Sequence, residues 1–128
     1  MRYMAMIKFD ENADVGSPPP ELFRAMDEFA QEGARNGTLV DQGGLLPSAT
    51  GAIVSLVNGA VKTTDGPFTE AKELIGGYAI VQVKSKQEAI EMAKHFLKLH
   101  EDVLGLSYEG NCEIRQMFDP SDFGPEGR

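Results

Sequence analysis

Residues 63–78 read TTDGPFTEAKELIGGY. The stretch opens on threonines suited to an extended strand and closes on Gly76, Gly77 and Tyr78, where extended chain resumes. Between them Asp65, Gly66 and Pro67 force a tight turn, because glycine reaches backbone angles closed to other residues and proline ends ladder pairing. A connection of about a dozen residues follows, longer than the roughly 4–6 usual between elements, and loops of that length are often functional. The segment therefore reads as strand, bend, long loop and re-entry into a sheet.

Working outward, residues 52–57 and 60–64 are short β-type runs on either side of Asn58-Gly59. That dipeptide is a strong hairpin signal, since a type I′ turn needs positive φ at both central positions. Residues 38–46 form a weaker strand, interrupted by Gly43-Gly44 and closed by Pro47, and residues 77–83 a compact one. Ser85 and Glu88 have the spacing of a helix capping box. Ala89, Ala93, Phe96, Leu97 and Leu104 follow as the buried stripe of that helix, and residues 112–118 give a last strand. Toward the N-terminus, residues 3–9 form a strand and residues 10–17 a polar loop. Pro18, Pro19 and Pro20 open a helix, where missing amide donors cost nothing. Its apolar face is Leu22, Met26, Phe29, Ala30 and Gly33, and Asn36-Gly37 stops it. The order β-α-β-β-β-β-α-β predicts an α+β domain, a ferredoxin-like plait with an extra β-hairpin, its two helices on one face of an antiparallel sheet. The other face stays bare, and apolar residues alternate onto it, so a second copy is expected to cover it as a homodimer. One domain is expected over residues 1–118, with a Pro/Gly-rich C-terminal tail over residues 119–128.

The chain has 128 residues, 41% of them hydrophobic, enough for a core without metals or staples. Its 12 basic and 20 acidic residues give a formal net charge of −8. With no Lys/Arg stripe to offset that balance, neither nucleic acid nor an anionic membrane surface is an expected partner. Cys112 is the lone cysteine, which excludes an intrachain disulfide and fits a reducing compartment. The apolar part of residues 1–8 is too short for a signal peptide, and no apolar run approaches the ~20 residues that span a bilayer. The expected location is cytoplasmic.

The string DGPFTEAKELIGGY resembles the signature of the YCII-related proteins that carry a DGPF motif. Matching features are the opening strand ending near Lys8-Phe9, the Gly43-Gly44-Leu45 segment and the closing Cys112-Glu113-Ile114-Arg115, so the likeness covers residues 1–118. It implies a dimeric α+β barrel of ferredoxin-like subunits with a cavity between the sheet and the DGPF loop. It implies no particular reaction; some such proteins are encoded near extracytoplasmic-function sigma factors. The chain departs from relatives that pair an early histidine with an aspartate, since it has no histidine before His95.

Among candidate site residues, Asp65 and Glu70 are the carboxylates for acid–base work, Asp65 otherwise serving to cap its own turn. Glu73, three residues after Glu70, shares a face with it only in a helix, and Lys72 between them neutralises the pair; solvated loop charge is the plainer reading of Glu73. Phe68 and Tyr78 are pocket walls or core aromatics. Arg115 suits a bidentate carboxylate contact or an exposed ion pair. His95 and His100 fall about 140° apart on a helix and do not form a metal pair. Asp10, Glu11 and Asp14 lack the pattern of a calcium loop. Gly-x-Ser-x-Gly and the phosphate-binding glycine fingerprints are missing, and Cys112 has no adjacent activator.

These residues point to a protein that binds a small organic molecule under the DGPF loop. Asp65 and Glu70 would be its catalytic or polar hooks, and Phe68, Lys72, Tyr78 and Arg115 its ligand contacts. No metal or cofactor is expected, and any chemistry would be proton transfer or hydrolysis by carboxylates. Two alternatives are a non-catalytic accessory or regulatory module, whose DGPF loop clasps the fold or docks a protein, and a purely structural dimer.

Overall fold

The computed structural model describes residues 1–11, 18–68, 73–119 and 122. The elements run β1 (Arg2–Phe9), α1 (Pro20–Arg35), β2 (Leu39–Gly44), β3 (Ala52–Val57), β4 (Ala60–Asp65), β5 (Leu74–Gln82), α2 (Lys86–Leu104) and β6 (Asn111–Gln116), with a 3-10 turn at Ser48–Thr50 between β2 and β3. Four strands make one sheet in the order β2-β5-β1-β6, all antiparallel, and β3 and β4 make a separate two-stranded sheet. This is the order of a ferredoxin-like plait, with the β3–β4 hairpin inserted before its third strand.

Register decides which side chains the helices cover, because successive residues of a strand face opposite ways. Tyr3 pairs with Val81 and Gln116, and Ala5 with Ala79 and Ile114. Tyr3, Val81, Val83 and Ala89 form the buried cluster, with Leu39, Met92 and Ile114 packed against it. The helices therefore sit on the Tyr3–Val81 face. Residues of opposite parity (Met4, Met6, Tyr78 and Ile80, together with Glu113 and Arg115) line the other face. That face is the one left open.

Local chemistry explains the helix ends. Proline stands at the first turn of α1, Asn36 caps its C-terminus, and Gly37 turns away at φ +79°. On α2, Ser85 Oγ accepts the Glu88 N–H at 3.2 Å. The return bond of the box lands one residue early, with Glu88 Oε2 accepting the Lys84 N–H at 3.4 Å. The expected stripe holds at Ala89, which is buried, and at Ala93, Phe96 and Leu97, which are half-buried; Leu104 is exposed. His100 takes the buried place instead. Its ring lies 4.7 Å from that of Phe96 and 5.3 Å from that of Tyr108. Its Nδ1–H donates to the Phe96 carbonyl at 2.9 Å, so the imidazole meets apolar neighbours with its polar edge satisfied. His95 lies elsewhere, edge-on to Phe29.

In the β3–β4 hairpin Asn58 and Gly59 have φ of 52° and 80°, the pair of positive angles a type I′ turn demands. Strand limits shift elsewhere. β5 begins at Leu74, upstream of Gly76-Gly77, and carries a bulge at Gly76, the extra residue where the register with Ile7 and Lys8 of β1 shifts. β2 stops at Gly44, and β6 stops at Gln116, leaving Phe118 exposed. No helix among the described residues is long and apolar enough to cross a membrane.

Candidate functional site

The DGPF bend leaves β4 at Asp65 and folds over the turn that precedes β3. The Gly66 N–H donates to the Gly51 carbonyl at 2.9 Å, and the Phe68 N–H donates to Ser48 Oγ at 2.9 Å. The Ser48 N–H in turn donates to Glu11 Oε1 at 2.7 Å. One serine therefore ties three segments that are remote in sequence: the end of β1, the 3-10 turn and the bend. The peptide between Gly66 and Pro67 is cis. Gly66 is fixed by contact, since a Cβ there would stand 1.7 Å from the Ser48 carbonyl oxygen.

These ties close one side of a cleft of about 570 Å³ at the C-terminal end of β1. Its apolar walls are Phe9, Leu45, Leu46, Phe68, Leu74 and Ile75, and its polar groups include Lys8, Glu11, Ser48 and Glu73. A volume of this size takes a small organic molecule. Lys8 Nζ is held 2.6 Å from Glu113 Oε1. That hydrogen bond, with the added field of Glu73, raises the Lys8 pKa above its ordinary value. The same bond lowers the Glu113 carboxyl, with Arg115 adding to the effect. Lys8 thus stays charged as a donor rather than acting as a base. Glu73 Oε2 accepts from the Asn111 side-chain amide.

The structure distributes the sequence-predicted residues unevenly. Phe68 is half-buried and lines the cleft. Asp65 is exposed at the end of β4, paired through its backbone register with Ala52, and does not line the cleft. Tyr78 belongs to the open sheet face, its ring so close over Gly43 that a Cβ there would meet Tyr78 Cε1 at 2.7 Å. Arg115 is exposed on the same face, its Nε 4.0 Å from Glu113 Oε2. Glu70 and Lys72 lie outside the described residues. Sequence reasoning missed Lys8, Phe9 and Ser48, weighed Glu11 only as part of an acidic loop without the calcium pattern, and read Glu73 as solvated loop charge. The signal within reach was the even-numbered parity of Lys8 with Met4 and Met6. Nothing near Ser48 in sequence announces its partner at Phe68.

Cys112 and Tyr108 lie on the far side of the sheet from this cleft's polar end, near His100. Burial raises the pKa of both, the Cys112 shift being opposed by a hydrogen bond from the Met6 backbone. The thiol is therefore a poor nucleophile. No curated protein matches the chain. The family model of the YCII-related domain matches residues 1–96, from β1 through most of α2 and including the whole cleft. The chain belongs to the YCII-related domain family.

Proposed function

We propose that the chain binds a small organic molecule in this cleft, its apolar body against Phe9, Phe68 and Ile75 and its polar end toward Lys8 and Glu73. The single observation that carries the reading is the Ser48 tie, which makes Phe68 of the DGPF bend a wall of a cleft that also holds charged groups. Any reaction there is cofactor-free proton transfer or hydrolysis, with Glu73 as the carboxylate at hand and Asp65 outside the cleft. The open sheet face supports a homodimer, and the lone half-buried Cys112 supports a cytoplasmic location.

A fragment screen by NMR, using aryl and branched aliphatic carboxylates and amides, tests the binding. Amide shifts are expected to cluster at Lys8, Phe9, Ser48, Gly51, Phe68 and Ile75. Shifts that cluster elsewhere, or none across the library, refute the assignment. The rival reading, a non-catalytic interaction module, draws support from the exposed apolar hairpin. It predicts an empty screen together with retained self-association.

A further inference from the structure

Strand register builds the polar end of the cleft. On β1, Lys8 stands opposite Ile75 of β5 and opposite Asn111 of β6, and directly opposed residues share a face. Ile75 is an apolar wall of the cleft, and the Asn111 side-chain amide donates to Glu73 Oε2. Glu113, the next residue on the same side of β6, accepts from Lys8 Nζ at 2.6 Å. A fixed cation and a fixed carboxylate, Lys8 and Glu73, therefore stand side by side at one end of an apolar cleft. Neither is saturated by these bonds. An ammonium carries more donors than the one Glu113 takes, and a carboxylate more acceptor sites than the one Asn111 fills.

We propose that the polar group of the ligand is a neutral carboxamide, its carbonyl oxygen accepting from Lys8 and its N–H donating to Glu73, with an aryl or branched aliphatic body against Phe9, Phe68 and Ile75. The inference rests on the binding reading above and names the chemical class bound. A donor and an acceptor side by side in the protein call for an acceptor and a donor side by side in the ligand, and a carboxamide carries both on one carbon. Its neutrality matters as well, because a charged head has to shed water on entering a cleft with apolar walls.

Charge argues against both ionic alternatives. The charged groups that line the cleft, taken with the side chains they pair to, are Lys8 and Arg115 against Glu11, Glu73 and Glu113, which leaves negative charge in excess. A ligand carboxylate would find Lys8 already bonded to Glu113, and would face the carboxylates of Glu73 and Glu11 besides. A ligand ammonium would pair with Glu73 but set like charge beside Lys8 and leave the Lys8 donors without an acceptor. A zwitterion such as an α-amino acid answers both charges, yet both of its own must be stripped of water to do so.

NMR titration of the wild-type backbone amides tests the class, with phenylacetamide, phenylacetate, phenethylamine and phenylalanine as matched heads on one aryl body, and the same heads on an isobutyl body. The amide is expected to bind on the order of tenfold tighter than the acid, the amine or the amino acid, with shifts at Lys8, Phe9, Phe68 and Ile75. An acid, amine or amino acid that binds those residues as tightly as the amide overturns the carboxamide and leaves the cleft reading standing. Shifts at those residues from none of the compounds overturn both. Two variants then read the polar pair. Glu73→Gln keeps an acceptor for Asn111 and removes the charge, so phenylacetate should gain on the amide by roughly tenfold; Lys8→Met removes the cation, so phenethylamine should gain on it in similar measure. Glu73→Gln preserves size at an exposed position and carries the test should Lys8→Met lose its folded circular dichroism. A ranking of the compounds that Glu73→Gln leaves as in the wild type overturns the proposal.

Discussion

Replacing Gly66 by alanine puts a methyl group where the Ser48 backbone stands. The ideal Cβ would lie 1.7 Å from the Ser48 oxygen, 2.6 Å from its carbonyl carbon and 3.3 Å from Ala49 Cα. All three are backbone atoms and cannot rotate aside. Ordinary contact distance returns only if the bend and the 3-10 turn part by about 1.5 Å. That movement breaks two hydrogen bonds, Gly66 N–H to the Gly51 carbonyl and Phe68 N–H to Ser48 Oγ, each 2.9 Å long. At about 0.5–1.5 kcal/mol apiece, with some loss of Phe68 packing, the cost comes to about 2–4 kcal/mol, a large part of a typical domain's stability. Urea denaturation followed by circular dichroism reads this as a midpoint lowered by on the order of 1–2 M. Gly44→Ala is the matched control: an added Cβ there meets nothing within 4 Å, so its effect should stay within about 0.5 kcal/mol. A Gly66→Ala midpoint indistinguishable from that of Gly44→Ala would refute the clasp and, with it, the placing of Phe68 as a cleft wall.

The Lys8–Glu113 pair has a definite pH signature. Because the folded-state Glu113 pKa lies below its ordinary value of 4.5, its contribution to stability is complete above that value and fades as pH falls through the folded pKa. Lys8, raised above 10.5, contributes fully below that value and loses its share as pH rises through its folded pKa. Carboxyl carbon NMR should show Glu113 titrating below a free glutamate, and Lys8→Met should return it to the ordinary range; an unmoved Glu113 in the variant means the pair is not formed. Cys112, with its thiol pKa raised by burial, should react with an aromatic disulfide reagent more slowly than glutathione at pH 8 and catch up in denaturant. Labelling of the native protein at the free-thiol rate would contradict its buried position.

Much of the architecture was legible because local signals and the global fold agree. Asn58-Gly59 names its turn through positive φ, Pro20 and Asn36-Gly37 delimit α1, and Ser85 caps α2, all effects that act over three or four residues. Errors gathered where a distant neighbour decides. Leu104 has the spacing of the buried stripe, yet His100 takes the interior because Tyr108, from beyond the helix, stacks on it. β5 begins earlier than its β-branched run because a bulge at its own Gly76 lets pairing with β1 continue to Leu74. The site was harder still. Of the residues singled out from the DGPF string, Phe68 lines the cleft, while Asp65 faces water at the hairpin's base and Tyr78 looks out from the sheet.

Periodicity, turn chemistry and charge, which depend only on near neighbours, were enough to specify an acidic α+β plait with an inserted hairpin and a bend at Asp65–Phe68. Which face of the sheet the helices leave open, and that Ser48 joins Glu11 to Phe68 across two long loops, came from tertiary structure alone. The reason is physical: a hydrogen bond between residues 20 or 37 positions apart leaves no trace in local spacing, because the partner is chosen by the register of strands that neither residue belongs to.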